Sequence, residues 1–182
     1  MRRTILMPLA TTITAVTLAA CEARYQPPEG YVPYRSDDLA LTVHHPADWN
    51  TAYETDTRSV TLHDPTGKAR VSIFASDTYP EGTSSADALA NGVSRLAEAT
   101  GGTFGAIEAF QSAAGETAVA QGQAPARLDV EGGEMLPDLH LYILALAAPD
   151  KVIFMNASAT GLESFETFRP MFEEVFRSLQ LD

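Results

Sequence analysis

The residues that could do chemistry in this chain are one cysteine, four histidines and a large set of carboxylates. Cys21 is the only cysteine, so a disulfide within the chain is excluded. It directly follows Ala19 and Ala20, and further upstream Arg2 and Arg3 lead into an apolar stretch over residues 5–18. A charged start, a short apolar segment and small residues at its end are typical of a secretory signal peptide. The sequence therefore predicts a signal peptide over residues 1–20.

The segment around Cys21 does not fit a membrane span or a buried core thiol. A transmembrane helix needs about 20 apolar residues, whereas the apolar stretch here is shorter and contains Pro8 and several threonines. After Cys21 the chain carries Pro27, Pro28 and Pro33, which predicts a flexible tether over residues 21–35. What remains, residues 36–182, has the length of one ordinary globular domain.

The small-small-Cys ending at Ala19, Ala20 and Cys21 resembles the lipobox of bacterial lipoproteins. The resemblance implies cleavage between Ala20 and Cys21, a lipid on the Cys21 thiol and an acylated new amine. Two or more acyl chains hold a protein stably on a membrane, whereas one holds it only marginally. We therefore expect a lipid-anchored protein of the cell envelope, on the outer membrane facing the periplasm. Glu22 leaves inner-membrane retention open.

The charge of the chain restricts its partners. The formal net charge is −12, and it becomes more negative when Arg2 and Arg3 are removed with a signal peptide. Such an acidic chain does not bind nucleic acid by neutralising phosphates. Anionic headgroups also repel it, so attachment to a membrane depends on the lipid at Cys21 and not on a basic patch.

Apolar alternation and turn signals predict short strands and two helices. The first helix is expected over residues 86–99, capped by Ser84 or Ser85 and ended by Gly101. Asp64-Pro65-Thr66-Gly67 predicts a tight turn. The predicted strands cover residues 39–44, 51–55, 59–63, 70–76, 104–110, 117–121, 126–130 and 139–147, and a further strand begins at residue 152.

Two of these strands are apolar on both faces, over residues 139–146 and 152–155. Such strands are normally covered on both sides. Trp49, which opens the segment after the first strand, is expected in the core and not as a binding aromatic. The pattern therefore indicates a sheet with layers packed against both of its faces.

The last helix is expected over residues 163–179. Thr160 and Glu163 match a capping box, and Pro170 is expected to kink the helix or to mark the start of its second part. Apolar residues recur at helical spacing, which predicts a core face and not a cofactor site. They are Phe165, Phe168, Phe172, Val175, Phe176 and Leu179.

Three motifs in order along the chain carry a family resemblance. His45-Pro46-Ala47-Asp48-Trp49 resembles the "strand, then Pro-x-x-Trp" entry of PsbP-like domains. Gly122-Gln123-Ala124-Pro125-Ala126-Arg127 is similar to the family's Gly-x-Pro-Ala step, and the segment 172–179, with Ser178, to its closing helix with a late Ser. The resemblance covers nearly all of residues 36–181. It implies an α+β fold, an antiparallel β-sheet with helices packed on both faces.

The PsbP-like family includes the extrinsic PsbP protein of photosystem II, DcrB-like bacterial envelope lipoproteins and chaperones of type VI secretion effectors. It hosts adaptors and extrinsic subunits, without a shared catalytic site. The resemblance therefore implies an interaction module, while the fold by itself says little about function.

Histidines give a candidate metal site. His44 and His45 are adjacent on a strand and point to opposite faces, so they cannot hold one ion together. His44 and His63 both point outward in the predicted strands, and with Asp64 or Asp48 they form a candidate site for zinc or copper. The alternative, which we favour, is that they are polar residues on a solvated face; no metal site and no cofactor are predicted.

The remaining candidates favour structural roles. His140 lies in the most apolar strand and is expected to be a satisfied histidine at the covered face or at the strand end, and not a ligand. Residues 101–105, Gly-Gly-Thr-Phe-Gly, end a helix and lack the Lys and Ser/Thr of a phosphate loop. Glu131, Glu134 and Asp138 form an exposed acidic loop whose order does not match an EF-hand. A Gly-x-Ser-x-Gly nucleophile elbow is absent from the sequence.

These features predict a membrane-anchored, non-catalytic interaction or adaptor module with an envelope protein as partner. The alternative is a metal- or small-ligand-binding envelope lipoprotein, and an enzyme ranks third. Because an acidic surface attracts basic partners, we expect a basic partner at the loop that contains Glu131, Glu134 and Asp138.

Overall fold

The computed structural model describes residues 25–125, 127–128, 135–136 and 138–182. Ala20 and Cys21 lie outside the described residues, as do Glu131 and Glu134. The helices are α1 (Ser85–Thr100) and α2 (Leu162–Arg177). The strands are β1 (Tyr31–Ser36), β2 (Leu41–Pro46), β3 (Asn50–Glu54), β4 (Ser59–His63), β5 (Ala69–Ser76), β6 (Thr103–Phe104), β7 (Glu108–Ser112), β8 (Gly115–Ala124), β9 (Arg127–Leu128), β10 (Met135–Leu136), β11 (Leu139–Ala147), β12 (Val152–Thr160) and β13 (Gln180–Leu181).

Most strands belong to one eight-stranded sheet. Its order is β3-β4-β5-β12-β11-β8-β6, and β7 also pairs with β8. A three-stranded sheet has the order β1-β2-β13, and β9 pairs with β10. All these pairings are antiparallel. The predicted α+β class with an antiparallel sheet is confirmed.

The central strands β11 and β12 bury both of their faces. Along β11, Leu141 and Ile143 belong to a core cluster with Leu89 of α1, whereas Tyr142 and Leu144 belong to a cluster with the phenylalanines of α2. Because successive residues of a strand point to opposite sides, the two clusters lie on opposite faces of β11. Each face of this apolar strand is thereby removed from water.

The ends of α1 follow the sequence signals. The Ser84 hydroxyl accepts a hydrogen bond from the Asp87 backbone N–H at 3.1 Å. At the other end, Gly101 has a φ of 70° and its N–H donates to the Ala97 carbonyl at 2.7 Å. A left-handed residue at this position favours glycine, which has no Cβ. The prediction that Ser84 or Ser85 caps the first helix and that Gly101 ends it is confirmed, with Ser84 as the cap.

The start of α2 differs from the prediction. Its N-cap is Gly161, with a φ of 76° and no side-chain cap, while Thr160 is still the last residue of β12. The predicted capping box of Thr160 and Glu163 is therefore wrong, because Thr160 is held in a strand pairing with Leu139. Pro170 lies inside the helix and does not begin a second one. Its position is exposed, so water can reach the carbonyl that lacks a helical partner.

The predicted tether overlaps the fold. Residues 31–35 belong to β1, which pairs with β2 over its whole length, so the ordered domain begins before residue 36. Pro33 lies opposite His44 in this pairing. Because β1 is the outer strand of its sheet, a proline without an N–H is tolerated there. The same residue that indicated a tether is compatible with an edge strand.

The predicted strand over residues 104–110 is two strands. β6 and β7 pair with different parts of β8, and Gly105 between them donates its N–H to the Gln121 carbonyl at 2.8 Å. The Phe104 ring lies directly on Gly122, where a Cβ would come within 2.2 Å of its Cδ1 atom. Only glycine fits at position 122 beneath this ring.

We predict that Phe172→Ala lowers the free energy of unfolding by about 3–5 kcal/mol, because Phe172 is fully buried and the change leaves a cavity. Chemical denaturation measures the loss. The control is Leu162→Ala in the same helix, at a side chain that is 57% exposed, which should change stability by no more than about 0.5 kcal/mol. Equal effects of the two changes would contradict the burial of this face.

Candidate functional site

The candidate metal ligands are not brought together. His44 lies in β2 of the three-stranded sheet, and His63 lies in β4 of the eight-stranded sheet. Among the residues that the structure describes, no group of three or more His, Cys, Asp or Glu side chains could hold a metal ion. The described residues therefore do not form the site expected from His44, His63 and Asp64 or Asp48.

Asp64 has a structural role instead. Its buried carboxylate accepts hydrogen bonds from the backbone N–H groups of Ala69 at 2.7 Å and Thr66 at 2.9 Å, and from the Thr66 hydroxyl. Burial opposes ionisation, but these hydrogen bonds lower the pKa of Asp64 below its usual value. The carboxylate closes the turn between β4 and β5 and has little capacity left for an ion.

Trp49 and His45 are buried, whereas His140 is half-buried. Trp49 packs edge-to-face on Phe172 with ring centroids 6.3 Å apart, which confirms its predicted core role. His140 lies 5.7 Å from the ring of Phe165, and the Nδ1 atom of buried His45 lies 2.8 Å from the Pro46 carbonyl. These contacts give both histidines a structural role.

The acidic loop is described only at its end. Asp138 accepts a hydrogen bond from the Gln123 side chain at 2.6 Å, and its carbonyl accepts one from the Gly161 N–H at 2.8 Å. Asp138 thus connects the start of β11 to β8 and to the start of α2. Glu131 and Glu134 lie outside the described residues, so their predicted role in partner binding stays a prediction.

An apolar groove lies between α1 and the sheet. Phe74 of β5 and Phe154 of β12 are paired across the strands, and their rings stack 5.4 Å apart beside the helix. The ring of Tyr79 lies 5.8 Å from that of Phe154. Leu96 of α1 and Ile143 of β11 complete the apolar walls of a cavity of about 360 Å³. We refer to this cavity as the α1 groove.

Three further residues give the α1 groove its shape and polarity. Gly92 faces Phe154 so closely that a Cβ would lie 3.0 Å from the ring. The Asn156 side-chain oxygen is buried and has no hydrogen-bond partner among the described residues. Arg95 lines the groove from the exposed side of α1, and within the described residues it forms no ion pair. Among the described residues, the cavity thus combines an aromatic wall with an amide oxygen that has no hydrogen-bond partner and an arginine that forms no ion pair.

The comparisons with known proteins are structural. The sequence matches no protein-family model and no curated protein. The structure of the cyanobacterial PsbP protein, CyanoP, from Synechocystis superposes with a TM-score of 0.61 at 13% identity, over 91% of this chain and 99% of that protein. The fold is PsbP-like.

A second solved structure, from yeast, is also similar to this chain. The Ran-binding protein Mog1p of Saccharomyces cerevisiae superposes with a TM-score of 0.60 at 11% identity, over 83% of this chain and 95% of Mog1p. At such identities the likeness concerns the fold alone. Within the described residues, no helix of this PsbP-like chain is long and apolar enough to cross a membrane.

Ser178, the late serine of the PsbP-like motif, joins α2 to β2. Its hydroxyl accepts from the His44 N–H at 2.7 Å and lies 2.7 Å from the Val175 carbonyl, to which it donates. Ser178 is fully buried. The His44 ring above this junction packs near Tyr25, and burial, followed by the nearby His45, lowers the pKa of His44. Ser178 thus has a structural role, because its hydroxyl connects the end of α2 to β2.

The α1 groove was missed in the sequence, although two signals pointed towards it. The doubly apolar segment 152–155 required cover on the side of Phe154, and Gly92 interrupts the middle of a helix, where glycine is unfavourable. Neither signal reveals that the two residues meet, because that depends on how α1 lies across the sheet.

We predict that Ser178→Ala lowers the free energy of unfolding by about 1–3 kcal/mol, because the His44 N–H then lacks the acceptor that the buried Ser178 supplies. The matched control is Thr42→Ala in the same sheet, whose hydroxyl bonds to Asp182 at the surface. Urea unfolding should show the loss for Ser178→Ala and almost none for the control. Comparable stability of both variants would show that the junction is unimportant.

Proposed function

We propose that this protein is a non-catalytic interaction module that is held at the bacterial cell envelope by lipid on Cys21. The observation that carries the proposal is the PsbP-like fold, which this chain shares over 83% of its length with a Ran-binding protein. A protein of the same architecture therefore binds another protein. The envelope location rests on the signal-peptide pattern that ends at Cys21, and membership of the DcrB-like envelope lipoproteins is part of the same proposal.

The docking surface that the described residues favour is the edge of the large sheet at β3. All five residues of β3 are exposed, and the strand ends the sheet, so one side of its backbone pairs with no described strand. Tyr53 on this strand hydrogen-bonds with Asp38, which is the main reason that its pKa is raised. We call β3 together with Asp38 the β3 edge. An extended segment of a partner can add to such an edge as a further strand.

Charge selects the partner. The ion pairs between described residues involve Arg35, Arg169 and Arg177, so Asp38 and Glu54 at the β3 edge are not neutralised by any of them. In a chain with a net charge of −12, these two carboxylates, which have no ion-pair partner among the described residues, favour a basic partner and speed its association at low salt. The partner that fits is an envelope protein with an extended, basic segment.

The anchor is tested by mass and fractionation. We predict that the wild-type mature chain begins at Cys21 and carries acyl groups, whereas Cys21→Ala keeps its signal peptide or is released without lipid. Glu22→Gln is the control for acylation, which it should leave intact. A wild-type chain with a free Cys21 thiol would refute the anchor. That result would not bear on the proposed interaction with a partner protein, which the charge-reversal variants test separately.

The docking surface is tested by charge reversal. We predict that Asp38→Lys with Glu54→Lys lowers the yield of a crosslinked envelope partner several-fold at low salt, because like charges then repel a basic segment. Binding to the wild type should weaken as ionic strength rises. The melting temperature should stay nearly constant, since both side chains are exposed.

Two further double variants show whether the loss of binding is specific to the β3 edge. Glu131→Lys with Glu134→Lys tests the acidic loop, and Asp138 is left unchanged because it bonds to Gln123. Glu163→Lys with Glu166→Lys places the same charge change on exposed positions of α2. A loss confined to the loop pair would move the docking surface to the loop. Equal losses for all three pairs, or no partner in crosslinked envelopes, would count against the proposal.

A small-ligand-binding role is the second candidate function. It is favoured by the α1 groove, whose volume of about 360 Å³ falls in the range of about 300–1,000 Å³ that is usual for ligand sites. The metal-binding form of this alternative has no corresponding group of ligands among the described residues.

A further inference from the structure

We propose that the α1 groove binds a small aromatic carboxylate that carries a hydroxyl group. The carboxylate pairs with Arg95, the aromatic ring lies against Phe74 and Phe154, and the hydroxyl donates to the side-chain oxygen of Asn156. The inference rests on the groove alone, and it holds whether or not the protein is anchored or binds a protein partner.

The walls of the groove favour a ligand with an aromatic ring. Phe74 and Phe154 are stacked with an interplanar angle of 19°, and Tyr79 tilts against Phe154. Aromatic rings in proteins prefer offset stacks and edge contacts at centroid distances of about 4.5–7 Å. A ligand ring that enters beside Phe154 extends this existing stack and displaces water from apolar surface.

The helix face over the groove is recessed. Gly92, Leu96 and Ala99 follow one another at spacings of four and three residues, so they share one side of α1. The glycine and the alanine leave space on either side of Leu96. Tyr79 fixes the helix against the strand layer, since its hydroxyl lies 3.4 Å from the Ala88 carbonyl and 3.5 Å from the Asn91 side chain. The space is thus bounded by residues that are themselves held in place.

Two polar residues of the lining select the polar groups of the ligand. Asn156 lines the groove, and its side-chain oxygen is buried and has no hydrogen-bond partner among the described residues. A buried acceptor of this kind is unfavourable until a donor reaches it, and rotation of the amide presents the oxygen to a ligand hydroxyl. Arg95 offers a planar cation whose geometry matches a carboxylate. Arg95 is the cation among the described residues that line this groove, and none of the ion pairs between described residues includes it. A ligand with a hydroxyl group and a carboxylate therefore satisfies both Asn156 and Arg95.

The probes separate these contributions. The first is para-hydroxyphenylpropionate, which has both groups. Phenylpropionate lacks the hydroxyl, and tyramine keeps the phenol but carries a cation in place of the carboxylate. Binding to the full-length chain is followed by NMR titration. We expect the resonances of Leu96 and Ile143 to shift with para-hydroxyphenylpropionate, more weakly with phenylpropionate and not with tyramine.

The variants assign the contacts. Arg95→Gln should weaken the binding of both carboxylate probes about tenfold. The control Arg58→Gln, at an exposed arginine near Tyr53, should leave their binding unchanged. Asn156→Leu should abolish the preference for the hydroxylated acid over phenylpropionate. Ala99→Trp, on an exposed position at the rim, should fill the groove and block all binding while the helix stays folded.

The proposal is overturned by any of three results. The first is that no probe shifts the groove resonances at millimolar concentration. The second is that tyramine binds as well as the acids. The third is that Arg95→Gln and Ala99→Trp, with melting temperatures like that of the wild type, leave the affinity unchanged, since binding then occurs elsewhere.

Discussion

The pairing of β11 with β12 in the middle of the large sheet is the constraint on which the rest of the structure depends. Residues of β11 are buried on both sides, with Leu144 and Ala145 each fully removed from solvent. Two such faces need two covering layers. A helix is about 10 Å wide and neighbouring strands lie about 4.8 Å apart, so one helix covers roughly two strands of a much wider sheet. Each face therefore needs additional cover beside its helix.

The two faces meet this need differently. On the side of α2, the three-stranded sheet supplies the cover, since Leu41 and Val43 of β2 belong to the same buried cluster as Phe172 and Phe176. On the side of α1, the buried cluster includes residues of that helix but, among the described residues, none of the three-stranded sheet, and Phe74 stays partly exposed. The α1 groove is thus the consequence of a sheet that is wider than the single helix on that face. A candidate ligand site arises from the architecture itself.

Local signals made part of this structure predictable. Some elements depend only on neighbours within a few residues, so their partners are visible together in the sequence. They are the helix cap at Ser84, the turn at Asp64 and the apolar strands. The predicted capping box is wrong because Thr160 pairs with Leu139 in the sheet. Leu139 lies far from Thr160 in the sequence, so the short motif around Thr160 does not reveal this pairing. Pro33 was misinterpreted for a related reason, because whether a proline interrupts a strand depends on whether that strand is at the edge.

The candidate sites depended still more on tertiary placement. The separation of His44 from His63 follows from the division of strands into two sheets, and strand alternation alone does not reveal that division. The α1 groove combines residues of α1, β5, β11 and β12. The helical spacing of Gly92 and Leu96 is visible in the sequence, whereas their position over Phe154 is set by how the helix crosses the sheet.

The pairing of β13 with β2 has a consequence for how the chain is completed. Leu181 lies opposite Leu41, and Ser178 accepts from the backbone of His44 across 134 positions of sequence. A chain made from its N-terminus produces β2 long before α2 and β13. Contacts of such long range slow folding, since a large loop must close first. The apolar side of β2 therefore stays uncovered until α2 has been made, and a chain without β13 lacks a strand of this small sheet.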